Sequence, residues 1–360
     1  MRKKIVVLSN SSSGLFDFRK ELLVELKKET DIIVTIPEKA KKVELEGIGC
    51  KSIEIPMERR GLNPLKDFVL LKEYYKLIKK EKPAQVITYT IKPNIYGGIV
   101  CSILRVPYAA NITGLGTTFQ KKGILRTVVK VMYKISLAKA KVVFFENVEN
   151  KNILVAENII NEKQACLLKG AGVNLDYFEL SAYEQIDEVV RFLFIGRVMK
   201  EKGVDELFEA TKRLYEEGDK VCLDVLGNFE ENYEDKIKQF ETEGWLHYYG
   251  YQKDVRPYIQ KCHCFVLPSY HEGMANTNLE CAAMGRPLIT SRIHGCMEAV
   301  VEGKSGFLCE KQDAESLYGQ MKRFVELSYE EKKAMGIAGR KHMEEVFDKR
   351  KVVEETRKRL

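Results

Sequence analysis

The sequence of 360 residues contains no long hydrophobic run. A helix that crosses a bilayer needs about 18 or more consecutive apolar residues, and no stretch approaches that length. Only the four apolar residues Ile5–Leu8 follow the basic start Arg2-Lys3-Lys4, too few for the core of a signal peptide. We therefore expect neither an integral membrane protein nor a secreted one.

A disulfide framework is also missing. The nine cysteines are an odd number and are scattered along the chain, which indicates reduced thiols in a cytosol. The run Cys262-His263-Cys264 has the wrong spacing for a usual zinc knuckle and falls in a predicted buried strand. We therefore expect no metal there.

The first strand-to-helix turn, Ser9–Leu15, lacks the Gly-x-Gly-x-x-Gly fingerprint of dinucleotide-binding proteins, which disfavours nicotinamide chemistry. Ser13 and Gly14 precede a helix that we expect from about Leu15. They are equally compatible with an ordinary N-cap loop and with a close approach of the backbone to a phosphate or sugar.

The chain has an excess of positive charge, with a formal net charge of +7, and 45% hydrophobic and 31% charged residues, as in folded soluble proteins. Arg126, Lys130 and Lys134 stand at i, i+4 and i+8 beside an apolar face of a predicted helix. This pattern fits an anionic membrane surface and, equally, a core-facing helix with a solvated basic side. Nucleic acid is not expected, because no recognised module or aromatic-basic interleaving is present.

Short apolar, β-branched runs alternate with helical patterns along the whole chain, which predicts parallel sheets covered by helices and an α/β fold. The length suggests two domains, with a break near residues 180–187. The predicted strands are Ile5–Leu8, Ile32–Ile36, Gln85–Thr88, Tyr108–Ile112 and Val142–Phe145 in the first half, and Phe192–Ile195, Val221–Leu226, Leu246–Tyr249, Cys264–Leu267 and Pro287–Thr290 in the second.

Two carboxylates, Glu272 and Glu280, stand seven residues apart in what we call the acidic motif. We expect Glu272 on a loop after a buried strand and Glu280 one turn into the following helix. Such a loop presents unpaired backbone N–H groups and the positive end of the helix dipole to an anion. Carboxylates beside that anion can accept hydrogen bonds from sugar hydroxyls.

Structural interpretations of the acidic motif compete with this one. The run from Thr277 to Glu280 also fits a capping box, in which Glu280 reaches back to the Thr277 backbone N–H. Glu272, for its part, can be a solvated loop acid. The motif alone does not decide between these alternatives.

A second constellation, Gly196–Gly203, follows the apolar run Phe192–Ile195, and we call it the lysine motif. A strand that ends there and feeds a helix places Arg197 and Lys202 at the carboxyl edge of a sheet, where α/β proteins bind ligands. Two cations at that edge can neutralise a diphosphate, each charge-assisted bond contributing roughly 1.5–3 kcal/mol. Lys200 fits a plain surface lysine better.

Together the two motifs resemble those of the retaining glycosyltransferases of the GT-B fold, family 4 type. The acidic motif matches the family's Glu-x7-Glu signature, the lysine motif matches its Gly-Arg-x4-Lys-Gly signature, and Gly295–Leu308 is similar to its next segment. The whole chain more loosely resembles bacterial enzymes that extend lipid-linked oligosaccharides or capsule repeats.

This resemblance implies two Rossmann-like domains that face one another across a cleft. The first, residues 1–180, would bind the acceptor, and the second, residues 188–345, would bind the nucleotide-sugar donor. The last helix, residues 346–360, would cross back to pack on the first domain.

The resemblance also assigns roles. Glu272 would contact the donor sugar near its 3- and 4-hydroxyls and Glu280 the nucleotide ribose. Arg197 and Lys202 would stabilise the departing diphosphate, so no cofactor or divalent metal would be required. The further expected donor-binding residues are Ser13, Gly14, Gly196, Gly227, Gly273, Met274, Ala275, Asn276 and Thr277.

One departure from the family pattern concerns the first domain. Many relatives place a histidine near the reacting centre there, whereas this chain has no histidine before His247. The small-residue loop with Asn111, Thr113 and Gly114 stands in the equivalent region, and we expect hydrogen bonds to donor or acceptor from it. Lys92 is compatible with a contact to a lipid diphosphate or with a plain solvated loop lysine.

The resulting expectation is a cytoplasmic enzyme, peripheral at the inner face of the cell membrane. It would move a hexose or N-acetylhexosamine from a UDP-sugar to a lipid-linked or saccharide acceptor, with retention and without metal. UDP is preferred over GDP only because it is more frequent in the family. The alternatives are a GT-B-like sugar-nucleotide epimerase or hydrolase and a non-catalytic sugar-nucleotide-binding partner.

Overall fold

The computed structural model describes residues 2–58, 63–116, 119, 123–183, 185 and 189–360. They form two compact units. The N-terminal unit comprises Met1–Ala171 and Arg350–Leu360, and the C-terminal unit comprises Gly172–Lys349. The limits that we placed at residues 180 and 346 lie within this C-terminal unit, and the limit at residue 188 falls outside the described residues.

The N-terminal unit is built on a seven-stranded parallel sheet in the order β3-β2-β1-β4-β5-β6-β7. Its inner strands are continuous apolar runs because helices cover both faces of the sheet. The strands are β1 (Lys3–Leu8), β2 (Thr30–Ile36), β3 (Lys51–Glu54), β4 (Gln85–Tyr89), β5 (Tyr108–Ile112), β6 (Val142–Phe145) and β7 (Ala165–Leu167).

Helices cover this sheet from both sides. Helices α3, α4 and α5 pack over one face, and α1, α2 and the chain's last helix, α13, pack over the other. The bounds are α1 (Ser12–Lys27), α2 (Lys42–Gly47), α3 (Pro64–Glu81), a π-helix (Pro93–Gly97), α4 (Gly98–Leu104), α5 (Ile124–Leu137), α6 (Val148–Ala156) and α13 (Lys349–Arg359).

The C-terminal unit repeats this plan with a six-stranded parallel sheet in the order β10-β9-β8-β11-β12-β13. A single apolar cluster fills both sides of the sheet. The strands are β8 (Val190–Ile195), β9 (Val221–Leu226), β10 (Leu246–Gly250), β11 (Cys264–Leu267), β12 (Leu288–Ser291) and β13 (Gly306–Cys309).

Its helices follow the strands in turn. They are a 3-10 helix (Lys200–Lys202), α7 (Val204–Glu216), α8 (Glu234–Glu243), α9 (Arg256–Lys261), α10 (Asn276–Ala283), a 3-10 helix (Met297–Ala299), α11 (Ala314–Glu326), α12 (Tyr329–His342) and a π-helix (Met343–Phe347). The prediction of an α/β fold with two parallel sheets is confirmed. No helix in the described ranges has both the length and the apolar character needed to span a membrane.

All strands of a parallel sheet end at one edge, and loops at that edge form the binding sites of α/β proteins. In the C-terminal unit the loops after β8, β9, β11 and β12 meet there. The lysine motif follows β8 and the acidic motif follows β11, so the sheet topology brings the two motifs to adjacent strands.

Candidate active site

Lys202 and Glu272 meet at the carboxyl edge of the C-terminal sheet. The Lys202 ammonium forms an ion pair and hydrogen bond with Glu272 Oε1, although 70 residues separate the two in the sequence. Their side chains are only 17% and 13% exposed. The two motifs therefore form one site.

A glycine makes this contact possible. Gly203 has φ +71°, a left-handed conformation that favours glycine, and a Cβ atom there would overlap the carbonyl oxygen of Pro268. The Glu201 carbonyl accepts hydrogen bonds from Tyr270 N at 2.9 Å and from Ser269 Oγ at 3.2 Å. The lysine motif is thus hydrogen-bonded directly to the loop that follows β11.

The loop after β12 supports the acidic motif from behind. Gly295 has φ +92°, and a Cβ atom there would lie 2.8 Å from the carbonyl oxygens of Glu272 and Gly273. The Gly295 carbonyl accepts a hydrogen bond from Ala275 N at 2.7 Å. Glu298 Oε2 in turn accepts a hydrogen bond from Gly295 N at 2.7 Å, and Glu298 Oε1 lies 2.8 Å from His294 Nδ1.

Glu298 and His294 were not among the predicted site residues. The sequence signal for Glu298 was the segment Gly295–Leu308, which we recognised without assigning a role to Glu298; His294 lies just before that segment.

Helix α10 begins at Asn276, with Ala275 at the N-cap position and no side-chain cap bond. Thr277 lies inside the first turn, so a capping box at Thr277 does not mark this helix start. Glu280 lies one turn into the helix, as the spacing predicts. Glu272 is mostly buried, so it is not a solvated loop acid.

Two polar atoms beside Glu272 are buried without a hydrogen-bond partner among the described residues: His271 Nε2 and Asn276 Oδ1. Leaving such an atom unpaired costs about 1–3 kcal/mol, so these two atoms favour the binding of a polar group beside Glu272. The nearby Tyr270 hydroxyl does have a partner within the protein, since it donates a hydrogen bond to Glu206 Oε1 at 2.6 Å. Burial raises the pKa of Tyr270, which keeps this phenol protonated.

Arg197 is placed differently from Lys202. Its side chain is 46% exposed, and its Nη1 lies 3.4 Å from Glu230 Oε2. The neighbouring Glu231 accepts a hydrogen bond from Lys200 N at 2.8 Å. Two acids from the loop after β9 therefore line this side of the site, and the sequence reading had missed both.

Gly196 and Gly227 bring the ends of β8 and β9 together. Gly196 N donates to Leu226 O at 2.9 Å, and Gly227 has φ +140° with no room for a Cβ atom against the Gly196 carbonyl. Both glycines allow the two backbones to pack closely at the sheet edge, directly beside Arg197. A direct contact with a donor remains a prediction for them, as for Met274.

In the N-terminal unit, Ser13 and Gly14 lie in the first turn of α1. Gly14 N donates to the N-cap Ser11 Oγ at 3.0 Å, which is the ordinary capping arrangement. Glu38 Oε1 accepts Ser12 N at 2.7 Å and Ser12 Oγ at 2.8 Å. An internal carboxylate thus lies at the helix N-terminus, and donor binding by Ser13 and Gly14 stays a prediction.

Lys92 is neither solvated nor open to a ligand without rearrangement. Its Nζ lies 2.8 Å from Asp67 Oδ1, and both side chains are buried. Asp67 is 25 residues away in α3, which is why the local sequence did not reveal this pair.

Asn111, at the end of β5, is buried in the same region, and its Nδ2 donates to Thr88 O at 3.2 Å. Its carbonyl accepts Asn94 Nδ2 at 2.8 Å. Thr113 and Gly114 follow directly and are partly exposed. Of the predicted acceptor residues, only these last two present surface at the sheet edge.

A second buried ion pair, Arg19 with Glu146, lies at the same edge and was not predicted. The Arg19 guanidinium also sits 5.1 Å from the centre of the Tyr89 ring. Burial raises the pKa of Glu146, and Arg19 opposes that shift. The pair links α1 to the ends of β4 and β6.

Cys262, His263 and Cys264 do not form a ligand set, because each has its own partner. Cys262 Sγ donates to Ile259 O at 3.3 Å, Cys264 Sγ lies 3.6 Å from Phe265 O, and His263 Nδ1 accepts Arg191 N at 2.8 Å.

In the described part of the chain, one group has spacing suited to a metal: Cys222, Asp224 and His247. It lies on β9 and β10, away from the two motifs, and Arg191 Nη1 already binds Asp224 at 2.9 Å. Among the described residues, no such group lies beside the acidic motif.

Comparisons with known proteins cover both units. Residues 179–342 match the family model "Glycosyl transferases group 1", and residues 4–147 match "Glycosyl transferase 4-like". The N,N'-diacetylbacillosaminyl-diphospho-undecaprenol alpha-1,3-N-acetylgalactosaminyltransferase of Campylobacter jejuni is 29% identical, over 90% of this chain and 89% of its own.

Two further relatives are similar. The UDP-Gal:alpha-D-GlcNAc-diphosphoundecaprenol alpha-1,3-galactosyltransferase of Escherichia coli is 28% identical over 76% of this chain and 74% of its own. The capsular polysaccharide biosynthesis glycosyltransferase CapM of Staphylococcus aureus is 26% identical over 84% and 82%.

Among solved structures, HepE of Anabaena in complex with UDP-glucose superposes with a TM-score of 0.82 at 15% identity, covering 99% of this chain and 100% of its own. A glycosyltransferase of Rickettsia africae gives 0.80 at 19% identity, covering 99% and 97%. The chain therefore belongs to the group 1, family 4 type glycosyltransferases and has their GT-B fold.

Proposed function

We propose that this glycosyltransferase moves a hexose or N-acetylhexosamine from a UDP-sugar to a lipid-linked saccharide during surface polysaccharide assembly. The observation that carries the proposal is the Lys202–Glu272 contact, which joins a cation for a diphosphate to a carboxylate for a sugar in one partly accessible site. The names of the C. jejuni and E. coli relatives, both with diphospho-undecaprenol acceptors, support the acceptor class. The HepE complex with UDP-glucose supports the donor class.

In this proposal the donor diphosphate lies between Lys202, Arg197 and the N-terminus of α10. Negative charge grows on the leaving phosphate as the glycosidic bond breaks, and cations already in place stabilise it without reorganisation. Lys202 would exchange part of its contact with Glu272 for the phosphate. Arg197 would turn from the exposed Glu230 toward the same group.

Glu272, once a donor is bound, would accept hydrogen bonds from the sugar hydroxyls, and Glu280 would accept them from the ribose. The backbone N–H groups around Gly273–Thr277, apart from that of Ala275, which donates to Gly295 O, would complete the cradle. The buried Asn276 Oδ1 and His271 Nε2 would then gain the polar partners that they lack within the described protein.

We further propose that transfer proceeds with retention and without a divalent metal. The leaving phosphate would help to deprotonate the acceptor on the same face of the sugar, so no protein nucleophile is required. Two protein cations would provide the charge stabilisation that a metal supplies in other enzymes.

The acceptor side of the proposal assigns the lipid-linked saccharide to the N-terminal unit. That unit would contact an anionic membrane surface, so the enzyme would act as a peripheral protein at the inner face of the cell membrane. The basic residues of α5 and the loop at Thr113 and Gly114 are the features that support this placement.

The test is a panel of nucleotide sugars measured by thermal shift and then by product analysis, with and without a lipid-linked acceptor. A donor at 100 times its dissociation constant should stabilise the protein by about 2.7 kcal/mol. Transfer should require the acceptor and persist in EDTA. Donor turnover without any acceptor would instead indicate an epimerase or hydrolase, and donor binding without turnover would indicate a non-catalytic partner.

A further inference from the structure

Thr90, the first residue after β4, has an unusual backbone conformation. Its φ of +75° lies in the left-handed region, where the two branches at the Cβ atom of threonine crowd the backbone. Among the described residues, four others besides glycine have a positive φ: Lys82, Arg105, Asn158 and Gln312. Lys82 and Arg105 close helices α3 and α4, and none of the four is β-branched. Thr90 is therefore the residue of this group with the most strained conformation.

Hydrogen bonds on both sides of Thr90 hold the chain in this turn. Thr88 Oγ1 donates to Asn94 Oδ1 at 2.6 Å, and Asn94 N donates to the Thr90 carbonyl at 2.9 Å. Asn94 Nδ2 donates to the Asn111 carbonyl on β5 at 2.8 Å, which ties the turn to the neighbouring strand. A glycine would follow the same path with less strain, so the backbone geometry alone does not account for a threonine at this position.

The hydroxyl of Thr90 is also unusual. Its Oγ1 atom is buried and has no hydrogen-bond partner in the part of the chain that the structure describes. Two other threonine hydroxyls at this sheet edge are paired, since that of Thr88 donates to Asn94 and that of Thr35 accepts Ser9 N at 3.3 Å. A buried hydroxyl without a partner loses the hydrogen bonds that water gives it in the unfolded chain. Strained backbone and unpaired buried groups are both typical of ligand sites, and Thr90 combines them.

Thr90 lies where the N-terminal sheet changes its direction of winding. The chain builds β1, β2 and β3 outward on one side and then crosses back to place β4 on the other side of β1. The loops after β1 and β4 leave in opposite directions at such a point, and the crevice between them is where α/β proteins bind ligands. Leu8 of β1 pairs with Thr88 on β4, two residues before Thr90. Thr90 therefore lies at this crevice.

The cations near Thr90 are already neutralised inside the N-terminal unit. Lys92 Nζ lies 2.8 Å from Asp67 Oδ1, and Arg19 pairs with Glu146. Thr90, by contrast, has a neutral hydroxyl, which both donates and accepts hydrogen bonds. The hydroxyls of a saccharide have the same capacity, whereas a diphosphate needs donors and positive charge. This part of the edge therefore suits an uncharged sugar better than a diphosphate.

We propose that Thr90 binds the acceptor saccharide, with its Oγ1 forming a hydrogen bond to one hydroxyl of the sugar that receives the transferred residue. This inference rests on the proposed function and names a residue for its acceptor side. The hydrogen-bonded turn fixes the Thr90 hydroxyl before the acceptor arrives, so little side-chain freedom is lost on binding. Because Oγ1 is covered in the free protein, the acceptor reaches it by displacing the groups that cover it.

The test measures transfer to a soluble probe, α-D-GlcNAc diphosphate on a short alkyl chain, which follows the acceptor in the name of the E. coli relative. The donor is the one that the nucleotide-sugar panel identifies. Thr90→Val removes the hydroxyl and keeps the shape of the side chain, and Thr90→Ser keeps the hydroxyl. Thr356→Val is the matched control, because the Thr356 hydroxyl already donates to Val352 O at 2.8 Å.

The loss of one hydrogen bond between uncharged groups should lower kcat/KM for the acceptor about three- to tenfold in Thr90→Val. Thr90→Ser and Thr356→Val should stay within twofold of the wild type. All the variants should bind UDP with an affinity within twofold of the wild type, because the proposed contact is to the acceptor.

A second measurement separates a contact with the sugar from a purely structural effect. Analogues of the probe that each lack one sugar hydroxyl are measured as inhibitors. The analogue without the contacted hydroxyl should bind equally to the wild type and to Thr90→Val, whereas the others should bind Thr90→Val about three- to tenfold more weakly. Thr90→Gly relaxes the left-handed turn, and it carries the same comparison if Thr90→Val fails to fold.

A Thr90→Val enzyme whose acceptor kcat/KM lies within twofold of the wild type would overturn the proposal, as would an equal loss for every analogue. Weaker UDP binding by the same factor would also overturn it, because Thr90 would then belong to the donor site. A wild type that binds UDP but transfers nothing to the probe would refute the proposed function instead.

Discussion

Helices α5 and α7 are amphipathic helices of similar length that cover equivalent parallel sheets, yet they expose different surfaces. The outward side of α7 is charged, with pairs such as Lys212–Glu216 and Arg213–Glu217, and Tyr215 is its only large exposed apolar residue. The outward side of α5 carries five exposed aliphatic residues. Covering a sheet requires one apolar side, so packing on the sheet does not account for the exposed aliphatic residues of α5.

The carboxyl edges of the two sheets also differ, because one is more polar than the other. The C-terminal edge is polar and tightly built, with Lys202 beside Glu272 and with glycines that admit no Cβ atom. At the N-terminal edge, Lys92 and Arg19 form buried ion pairs, and the first turns of the helices α3 and α5 carry the exposed apolar residues Leu65 and Ile124. We infer that the C-terminal unit supplies the chemistry and the N-terminal unit the attachment to the acceptor's surroundings.

The largest effect is expected at Glu272, which tests whether the C-terminal unit supplies the chemistry. Glu272→Gln removes the proposed sugar contact and leaves the mostly buried Lys202 without its charged partner, so kcat/KM should fall about 10²- to 10³-fold. Initial rates with a soluble acceptor measure this, with Glu326→Gln on α11 as the control. A Glu272→Gln enzyme whose kcat/KM lies within tenfold of the wild type would contradict the assignment.

A smaller effect tests how the C-terminal edge is built. Gly203→Ala adds a methyl group against the Pro268 carbonyl in a left-handed conformation and should lower the free energy of unfolding by about 3 kcal/mol. Gly218→Ala has a similar φ of +93° but open space around the Cβ position, so about 1 kcal/mol is expected.

Val128→Ser on the outward side of α5 should change the free energy of unfolding by less than about 0.5 kcal/mol, because its side chain is exposed. Urea unfolding of the three variants measures the order of their losses in the free energy of unfolding. Equal losses for Gly203→Ala and Gly218→Ala would show that the contact with the Pro268 carbonyl is not the cause.

A separate predicted effect is a loss of stability in acid that His263 contributes in the C-terminal unit, which contains all five histidines. Burial lowers the pKa of His263 to about 4. In the unfolded chain, the His263 imidazole binds a proton near pH 6.5. Its contribution to the free energy of unfolding is therefore fully present above that pH and is lost as the pH falls toward 4. About 2 kcal/mol should disappear between pH 7.5 and pH 5.

His263→Asn keeps an acceptor for Arg191 N but does not titrate. Urea unfolding at the two pH values should therefore show a loss that is about 2 kcal/mol smaller in this variant. The same loss in both proteins would show that His263 is not responsible.

Much of the fold was readable from the sequence because buried parallel strands are continuous apolar runs. Tyr108–Ile112, Val142–Phe145, Val221–Leu226 and Cys264–Leu267 have the predicted bounds. The strands that we missed, β3, β7 and β13, are short and lie at sheet edges. An edge strand such as Lys51–Glu54 has exposed positions and lacks the apolar run that signals a strand.

The candidate site was predictable where local spacing decides the structure and unpredictable where distant segments meet. Helix geometry places Glu280 one turn into α10. In contrast, the partners of Lys92 and Arg197, which are Asp67 and Glu230, depend on how separate loops pack. The outward side of α5 required the structure because periodicity identifies an amphipathic helix but not whether its second apolar side is covered.

Calorimetric titration of UDP into the wild type, Lys202→Ala and Lys200→Ala tests most directly whether the joined motifs hold the donor diphosphate. A lost charge-assisted bond of roughly 1.5–3 kcal/mol should weaken UDP binding to Lys202→Ala by at least about tenfold, whereas Lys200→Ala should bind within twofold of the wild type. UDP affinity equal to the wild type in Lys202→Ala would contradict the account.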